Sequence, residues 1–234
     1  MKLSLKYLLV MFVFISVYGT SQTNAQKIKE TFSTKSYQLT IDEINLINSS
    51  EIHFDSLLYL KAYSQIKLNQ LKEASVSISQ LQQLNPNYDE AYFLKGLICA
   101  KKEKYADAIS NFNKVIDVNP NHEKTLYNRA LAKGLLEDYK NAIKDLDQCL
   151  VVNPNYAMAF YNRGYWHEIS ENYASAISDY KKAITLDQHY TEAYIALAYV
   201  YSQNGDNVNA CETLNTAKTE GIEAANDLIH NFCK

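Results

Sequence analysis

One pair of side chains in this sequence has the types and the spacing of metal ligands. His167 and Glu171 lie four residues apart, and this interval puts both on one face of a helix, about one turn from each other. A zinc site needs at least a third ligand and often has the pattern His-Glu-x-x-His. The sequence has no such pattern and no third ligand near this pair. We therefore predict no metal site.

Catalytic motifs are missing as well. The chain has no glycine-rich phosphate loop, no Gly-x-Ser-x-Gly and no Cys-x-x-Cys. His122 and His189 fall in predicted loops, and Asp145, Asp147 and Asp179 fall where we expect solvated helix faces. The sequence predicts no catalytic residue and no cofactor, and therefore a protein that is not an enzyme.

The four cysteines divide into two pairs. Cys99 and Cys149 lie at apolar helical positions, which favours buried thiols. Cys211 and Cys233 lie ten residues before and twelve residues after Gly221. If Gly221 is the turn between two antiparallel helices, the two cysteines lie at similar heights. In an exported protein they could form a disulfide that clamps the last helix, and both the bonded and the free state remain open.

All of these residues lie within a repeat of 34 residues. Alanine recurs at this interval at Ala74, Ala108, Ala142, Ala176 and Ala210. A second column contains only small residues, a third only large ones, and Asn-Pro recurs at 85–86, 119–120 and 153–154. Several columns that share one period indicate a repeat protein.

Each period predicts two helices. In the period 89–122, the first half is apolar on nearly two faces, and the second half has apolar residues at three- and four-residue steps. The small columns allow close approach of neighbouring helices, and Asn-Pro ends each second helix. Every repeat is therefore predicted to be a helical hairpin.

These columns resemble the tetratricopeptide repeat. The resemblance implies an all-α fold, an α-solenoid or right-handed superhelix of about five hairpins with capping helices at both ends. We predict five repeats over 55–224, with the bounds 55–88, 89–122, 123–156, 157–190 and 191–224. Residues 26–54 are predicted to be a degenerate capping helix or half-repeat, and residues 225–234 a C-terminal capping helix.

The resemblance also implies a peptide-binding groove. In such stacks the first helix of each hairpin lines a concave face with its positions 2, 5, 6, 9, 12 and 13. Carried over to this chain, the groove residues are Tyr59, Tyr63, Phe93, Tyr127, Asn128, Tyr161, Asn162, Tyr165 and Tyr199. Some of these tyrosines could instead fill gaps between helices. Arg129 and Arg163 occupy position 7, and Asp145 and Asp179, sixteen residues downstream, are their candidate partners.

The first 25 residues predict export. Lys2 and Lys6 precede an apolar run from Tyr7 to Tyr18, and small and polar residues lead to Ala25. This order is typical of a secretory signal cleaved near Ala25, and the run is too short to span a bilayer. We expect a periplasmic or secreted protein that associates with membranes only through an uncleaved signal or a partner. A retained membrane anchor is the alternative.

The formal net charge of −3 gives no basis for nucleic-acid binding. The leading hypothesis is a non-enzymatic scaffold that binds a protein or peptide in the concave groove, without any small-molecule cofactor. The alternatives are a structural or accessory subunit of an envelope complex that acts through its convex face, and an enzyme with an unrecognised site.

Overall fold

The structure is a computed structural model that describes residues 24–47 and 54–233. The described residues form two compact units, one up to Lys101 and one from Lys102 onward. The described helices are residues 24–33 (α1), Tyr37–Asn45 (α2), Phe54–Lys67 (α3), Leu71–Leu84 (α4), Glu90–Lys101 (α5), Tyr105–Val118 (α6), Glu123–Leu135 (α7), Tyr139–Val152 (α8), Ala157–Ile169 (α9), Tyr173–Leu186 (α10), Thr191–Gln203 (α11), Asn207–Thr219 (α12) and Ala225–Phe232 (α13).

All regular secondary structure among the described residues is helical, so the predicted all-α class of helical hairpins is confirmed. In the first unit, α3 packs against α2, α4 and α5. Ile28 of α1, Ile44 of α2 and Leu57 of α3 form one buried apolar cluster. The segment before the first predicted repeat therefore holds two helices rather than one.

In the second unit, consecutive helices from α6 to α13 pack against each other in chain order. The first helices of successive hairpins, α7, α9 and α11, also contact one another. The boundary between the two units falls between α5 and α6, the two helices of the predicted repeat 89–122.

The alanine column marks the closest helix packing. Ala74, Ala108, Ala142, Ala176 and Ala210 each have 0% of their surface exposed. Side chains of this size let helix axes approach until backbone and side chains interlock. This is the role that the sequence predicts for the column.

The turn inside each hairpin repeats as faithfully as the alanine. Lys35, Asn69, Glu103, Glu137, Glu171 and Gly205 follow each other at intervals of 34 residues, and all have positive φ, between 58° and 79°. The next residue donates its amide to a carbonyl five residues earlier, as Gln70 does to Gln65 at 2.8 Å and Asp138 to Lys133 at 3.0 Å. This is the Schellman motif. Because Lys35 has the same turn, the hairpin α1–α2 is built like the repeats that follow it.

The Asn-Pro sequences end the second helices as predicted. Asn85, Asn119 and Asn153 follow α4, α6 and α8 with φ values of −136°, −127° and −130°. Nδ2 of Asn85 donates to Asp55 Oδ2 at 3.1 Å, and Nδ2 of Asn153 donates to Glu123 Oε1 at 2.8 Å. These bonds join the end of a hairpin to its beginning.

The C-terminal helix α13 packs against the last hairpin. Leu228 and Ile229 contact a buried cluster that includes Leu214 of α12. Cys211 and Cys233 form a disulfide with Cα atoms 5.3 Å apart. Cys99 and Cys149 are free thiols, of which Cys149 is buried and Cys99 only partly so.

No helix in the described ranges is both long and apolar enough to cross a membrane. The predicted signal segment, residues 1–25, lies almost wholly outside the described residues, which begin at 24.

Replacing Gly205 by Ala tests the turn. At φ 79° an added Cβ meets no atom within 4 Å, so the left-handed backbone is the only source of the cost. We expect the free energy of unfolding to fall by about 1 kcal/mol in urea titrations. Gly205→Asn is the control, because asparagine tolerates this conformation and should cost clearly less. Equal losses for the two variants would contradict the assignment.

Candidate functional site

Each first helix of the second unit has a row of unburied side chains on one face. The row follows steps of four, three and four residues, which lie above one another on an α-helix. We call these rows the first-helix stripe. Its members are Lys124, Asn128, Leu131 and Leu135 on α7, Met158, Asn162, Tyr165 and Ile169 on α9, and Glu192, Ala196, Tyr199 and Gln203 on α11; none is buried.

The stripe is unusually apolar for a solvated surface. Leu135, Met158, Tyr165, Ile169 and Tyr199 are 55%, 47%, 40%, 40% and 49% exposed. Because α9 contacts both α7 and α11, these side chains belong to adjacent helices. A contiguous exposed apolar surface is typical of an interaction site.

Sequence reasoning named the tyrosines of this surface and missed Leu135, Met158 and Ile169. The missed residues occupy positions 2 and 13 of the repeat, which the resemblance already assigned to the groove. Their aliphatic type concealed them, since aliphatic residues on a helix are also expected in the core.

The two stripe asparagines already make bonds to their own helices. Nδ2 of Asn128 donates to Lys124 O, and Nδ2 of Asn162 donates to Met158 O, each at 2.7 Å. Nδ2 of Asn162 also donates to the hydroxyl of Tyr127 at 3.1 Å. Asn162 therefore uses both amide hydrogens, and its Oδ1 is the atom that can accept a hydrogen bond from a ligand.

Two predicted groove residues at position 5 are core residues instead. Phe93 and Tyr127 are 2% and 7% exposed. The Tyr127 ring lies 4.9 Å from the ring of Tyr156 between centroids. Burial raises the pKa of the Tyr127 hydroxyl, so it is a neutral hydrogen-bonding group. Position 5 points toward the neighbouring loop and helix, which is why its large side chains fill a gap there.

The third residue at this position, Tyr161, is half-buried between two other rings. Its centroid lies 5.6 Å from that of Tyr180 and 5.1 Å from that of Tyr190. Like Tyr127, it supports the stripe from behind more than it forms the exposed surface.

The predicted groove residues of the first unit form an aromatic group of their own. Tyr59 lies 6.3 Å from Tyr63 and 6.1 Å from Tyr88, and Phe32 of α1 lies 5.5 Å from Tyr63, between centroids. Tyr59 and Tyr63 are both half-buried. The structure thus brings these two predicted residues together.

Buried ion pairs hold the first helices of the stripe against the second helices. Arg129 donates from Nε and Nη2 to both carboxylate oxygens of Asp145, each at 2.8 Å, and from Nη1 to Asn113 at 2.9 Å. Lys133 lies 2.7 Å from the same carboxylate. This is a bidentate pair, the strongest arrangement of these groups.

The next hairpin repeats the arrangement. Arg163 donates to both oxygens of Asp179 at 2.8 and 2.7 Å, and to Asp147 at 2.7 Å. The hydrogen bonds to Asp179 raise the pKa of Arg163. The predicted pairs are confirmed, but the expected solvation of the acids is wrong for two of them. Asp145 and Asp179 are 5% exposed, because a charged partner compensates the cost of burial.

Glycine permits the close approach of these elements at two places. A Cβ on Gly164 would lie 2.9 Å from Cε1 of Tyr180, and a Cβ on Gly134 would lie 2.2 Å from Cζ2 of Trp166. Tyr180 is fully buried and donates its hydroxyl to Glu168 at 2.6 Å. The sequence pattern marked Gly164 and gave no signal for Gly134.

The titratable groups near the stripe are poorly suited to nucleophilic chemistry. Burial raises the pKa of the Cys149 thiol to about 12 and lowers that of His167. Glu171 lies in the turn after α9, so it does not share a helix with His167. Within the described ranges, no three potential ligands are close enough to hold a metal ion.

The fold and the stripe together define a helical-hairpin repeat protein with a preformed interaction surface. Family models described as tetratricopeptide repeat match residues 89–122, 127–191 and 191–219. The chain belongs to the tetratricopeptide repeat family. No curated protein matches the sequence.

Several solved structures share the fold. MamA from Desulfovibrio magneticus RS-1 has a TM-score of 0.65 at 21% identity, with 74% of this chain and 97% of that chain covered. A tetratricopeptide repeat protein from Parabacteroides merdae has a TM-score of 0.63 at 18% identity, with 86% and 80% covered. YrrB, described as having an unusual peptide-binding site, has a TM-score of 0.62 at 19% identity, with 83% and 96% covered.

The two acids on Arg163 provide a matched test of the ion-pair network. Asp179→Asn should lower the free energy of unfolding by about 3 kcal/mol or more, because it leaves a charge uncompensated in the interior. Asp147→Asn should cost less than about 1 kcal/mol, since the Asp147 side chain is 54% exposed. Urea unfolding measures both values, and similar losses would refute the structural role assigned to Asp179.

Proposed function

We propose that this protein is a non-enzymatic scaffold that binds an extended polypeptide segment on the first-helix stripe. The observation that supports this most directly is the exposed apolar surface of Met158, Tyr165 and Ile169 on α9, with Tyr199 beside it on α11. Tyrosine offers a large contact area at a low cost in side-chain entropy, which makes it a frequent anchor residue in interfaces.

The partner segment is expected to place apolar side chains on this surface and backbone groups on the asparagines. Oδ1 of Asn162 can accept a backbone N–H, and Asn128 has both an Oδ1 and a second amide hydrogen to offer. Two carboxamides at equivalent positions of successive hairpins suit an extended chain, because such contacts do not depend on the ligand's side chains.

Charges at the beginning of the rows favour one direction for the ligand. The row on α7 begins with Lys124 and the row on α11 with Glu192, both exposed. A segment with an acidic residue near α7 and a basic residue near α11 would complement them. At exposed sites such pairs add little affinity and mainly set orientation.

YrrB offers a precedent, since it has the same fold and is described as having a peptide-binding site. The binding residues proposed here are argued from this chain's own exposed side chains.

Selection from a random peptide library on the purified protein tests the proposal. We expect enriched peptides with apolar residues, and Tyr165→Ala/Tyr199→Ala should weaken their binding about tenfold or more, as loss of anchor residues does. The control is Val151→Ala/Val208→Ala, which removes apolar residues that are 83% and 71% exposed on the second helices α8 and α12.

The outcomes separate the candidate functions. Peptides lost only with the tyrosine variant support the stripe, and peptides lost only with the valine variant would favour the face of the second helices and a structural role in an assembly. Turnover of a substrate by the purified chain would favour an enzyme and overturn the scaffold proposal.

We also propose that the protein is exported to the periplasm or secreted after cleavage near Ala25. The signal-like order of residues 1–25 supports this. The disulfide between Cys211 and Cys233 is consistent with it, since such bonds persist in oxidising compartments.

The intact mass of the protein from its native host tests export and the disulfide together. After alkylation in denaturant without reductant, we expect a mass that lacks residues 1–25 and carries two alkyl groups, on Cys99 and Cys149. A mass that retains the first 25 residues would overturn cleavage, and four alkyl groups would show that the disulfide does not form in the cell.

A further inference from the structure

The basic residue at position 7 of the repeat has a different environment in the first repeat than in later ones. Position 7 is Arg129 on α7 and Arg163 on α9, and each pairs with an aspartate at position 23 of its own repeat. In the repeat 55–88, position 7 is Lys61 and position 23 is Ser77. The cation is present and its acid is missing.

Ser77 cannot take over the role of the aspartate. It is buried, and its hydroxyl donates to Oε1 of Gln65 at 2.8 Å. No carboxylate of the described residues forms an ion pair with Lys61, and burial alone lowers its pKa. Lys61 therefore carries a partly desolvated ammonium group without a compensating charge from those residues.

A cavity lies next to this ammonium group. Its volume is about 550 Å³, which is within the range of small-molecule sites. Apolar side chains of three helices line one part of it, among them Ile44, Leu58 and Leu84. The cavity is formed by α2, α3 and α4, all within the first unit.

Polar groups line the other part of the cavity. Lys61 shares it with the carboxamides of Asn45, Gln80 and Gln83. Asn45 has the position that Asn113 and Asp147 have in the preceding hairpins of the two arginine networks, where both accept a hydrogen bond from the arginine. The site therefore has the layout of those networks, with open space where their aspartate would be.

We propose that this cavity binds an aliphatic carboxylate, whose carboxylate group pairs with Lys61 and whose alkyl chain lies against Ile44, Leu58 and Leu84. The ligand supplies the acid that position 23 lacks. Lysine suits this role better than arginine, because a flexible point charge can adapt to a carboxylate that is not fixed by the protein. The glutamine carboxamides can donate further hydrogen bonds to the same group.

Titration calorimetry of the purified full chain with decanoate, below its micelle concentration, tests the site. We expect saturable binding of one decanoate, and binding of 1-decanol should be about tenfold weaker or more, because it lacks the charge-assisted hydrogen bond. Equal affinity for the acid and the alcohol would overturn the proposal, and so would a lack of saturable binding by any carboxylate probe.

Variants localise the binding. Lys61→Met keeps most of the aliphatic stem and should weaken decanoate binding about tenfold or more. Lys67→Met on the same helix is the control, because Lys67 is exposed and lies over the ring of Tyr63 at 5.2 Å, outside the cavity. Equal effects of the two variants would overturn the assignment to Lys61.

Ser77→Asp tests the internal comparison on which the proposal rests. The new carboxylate should pair with Lys61, as Asp145 pairs with Arg129, and so compete with decanoate. If this variant folds and binds decanoate as well as the unchanged protein does, position 23 is not the place of the ligand's carboxylate, and the proposal fails. If it does not fold, the Lys61 variant still decides.

Two sources of the carboxylate can be distinguished with the same measurement. Decanoate represents a free fatty acid, and acetyl-Leu-Leu represents a polypeptide C-terminus, with its terminal amide as control. Binding of decanoate alone indicates the free acid. Binding of acetyl-Leu-Leu, but not of its amide, indicates the terminus of another chain.

Discussion

The close approach of neighbouring helices at the alanine column is the contact on which the rest of the structure depends. A single hairpin cannot bury both faces of its first helix, so each hairpin needs the next one to cover its apolar surface. Alanines with no exposed surface recur at one position of five repeats, and there the second helix is close enough to interlock with its neighbours. Side chains elsewhere in the repeat are placed by this packing.

The buried ion pairs are one consequence. Once α9 and α10 are packed at this distance, the side chains of Arg163 and Asp179 meet in the space between them, out of contact with water. A charge in such a place is tolerated only with its partner. The pairs therefore fix the relative register of the two helices, and with it the position of the stripe residues on α9.

The exposed surface is a second consequence. Because position 5 and the alanine column are taken up by packing, the residues left for a partner are those one helical step away, such as Met158, Tyr165 and Ile169. The same regularity makes departures from it informative. Where Ser77 replaces the aspartate of the later repeats, the packing remains and a cation and a cavity are left beside it.

The sequence by itself determined the period, the two helices of each repeat, the Asn-Pro ends and the pairing of Arg129 with Asp145. These follow from local rules, since helix periodicity, proline and a fixed separation of sixteen residues act within one hairpin. The tertiary structure decided what depends on neighbours. It buried Phe93 and Tyr127, exposed Tyr165 and Tyr199, turned residues 24–45 into a further hairpin and placed Gly134 under Trp166. The reason is physical: the exposure of a side chain depends on which atoms of other helices cover it, and the pattern of a single repeat does not contain them.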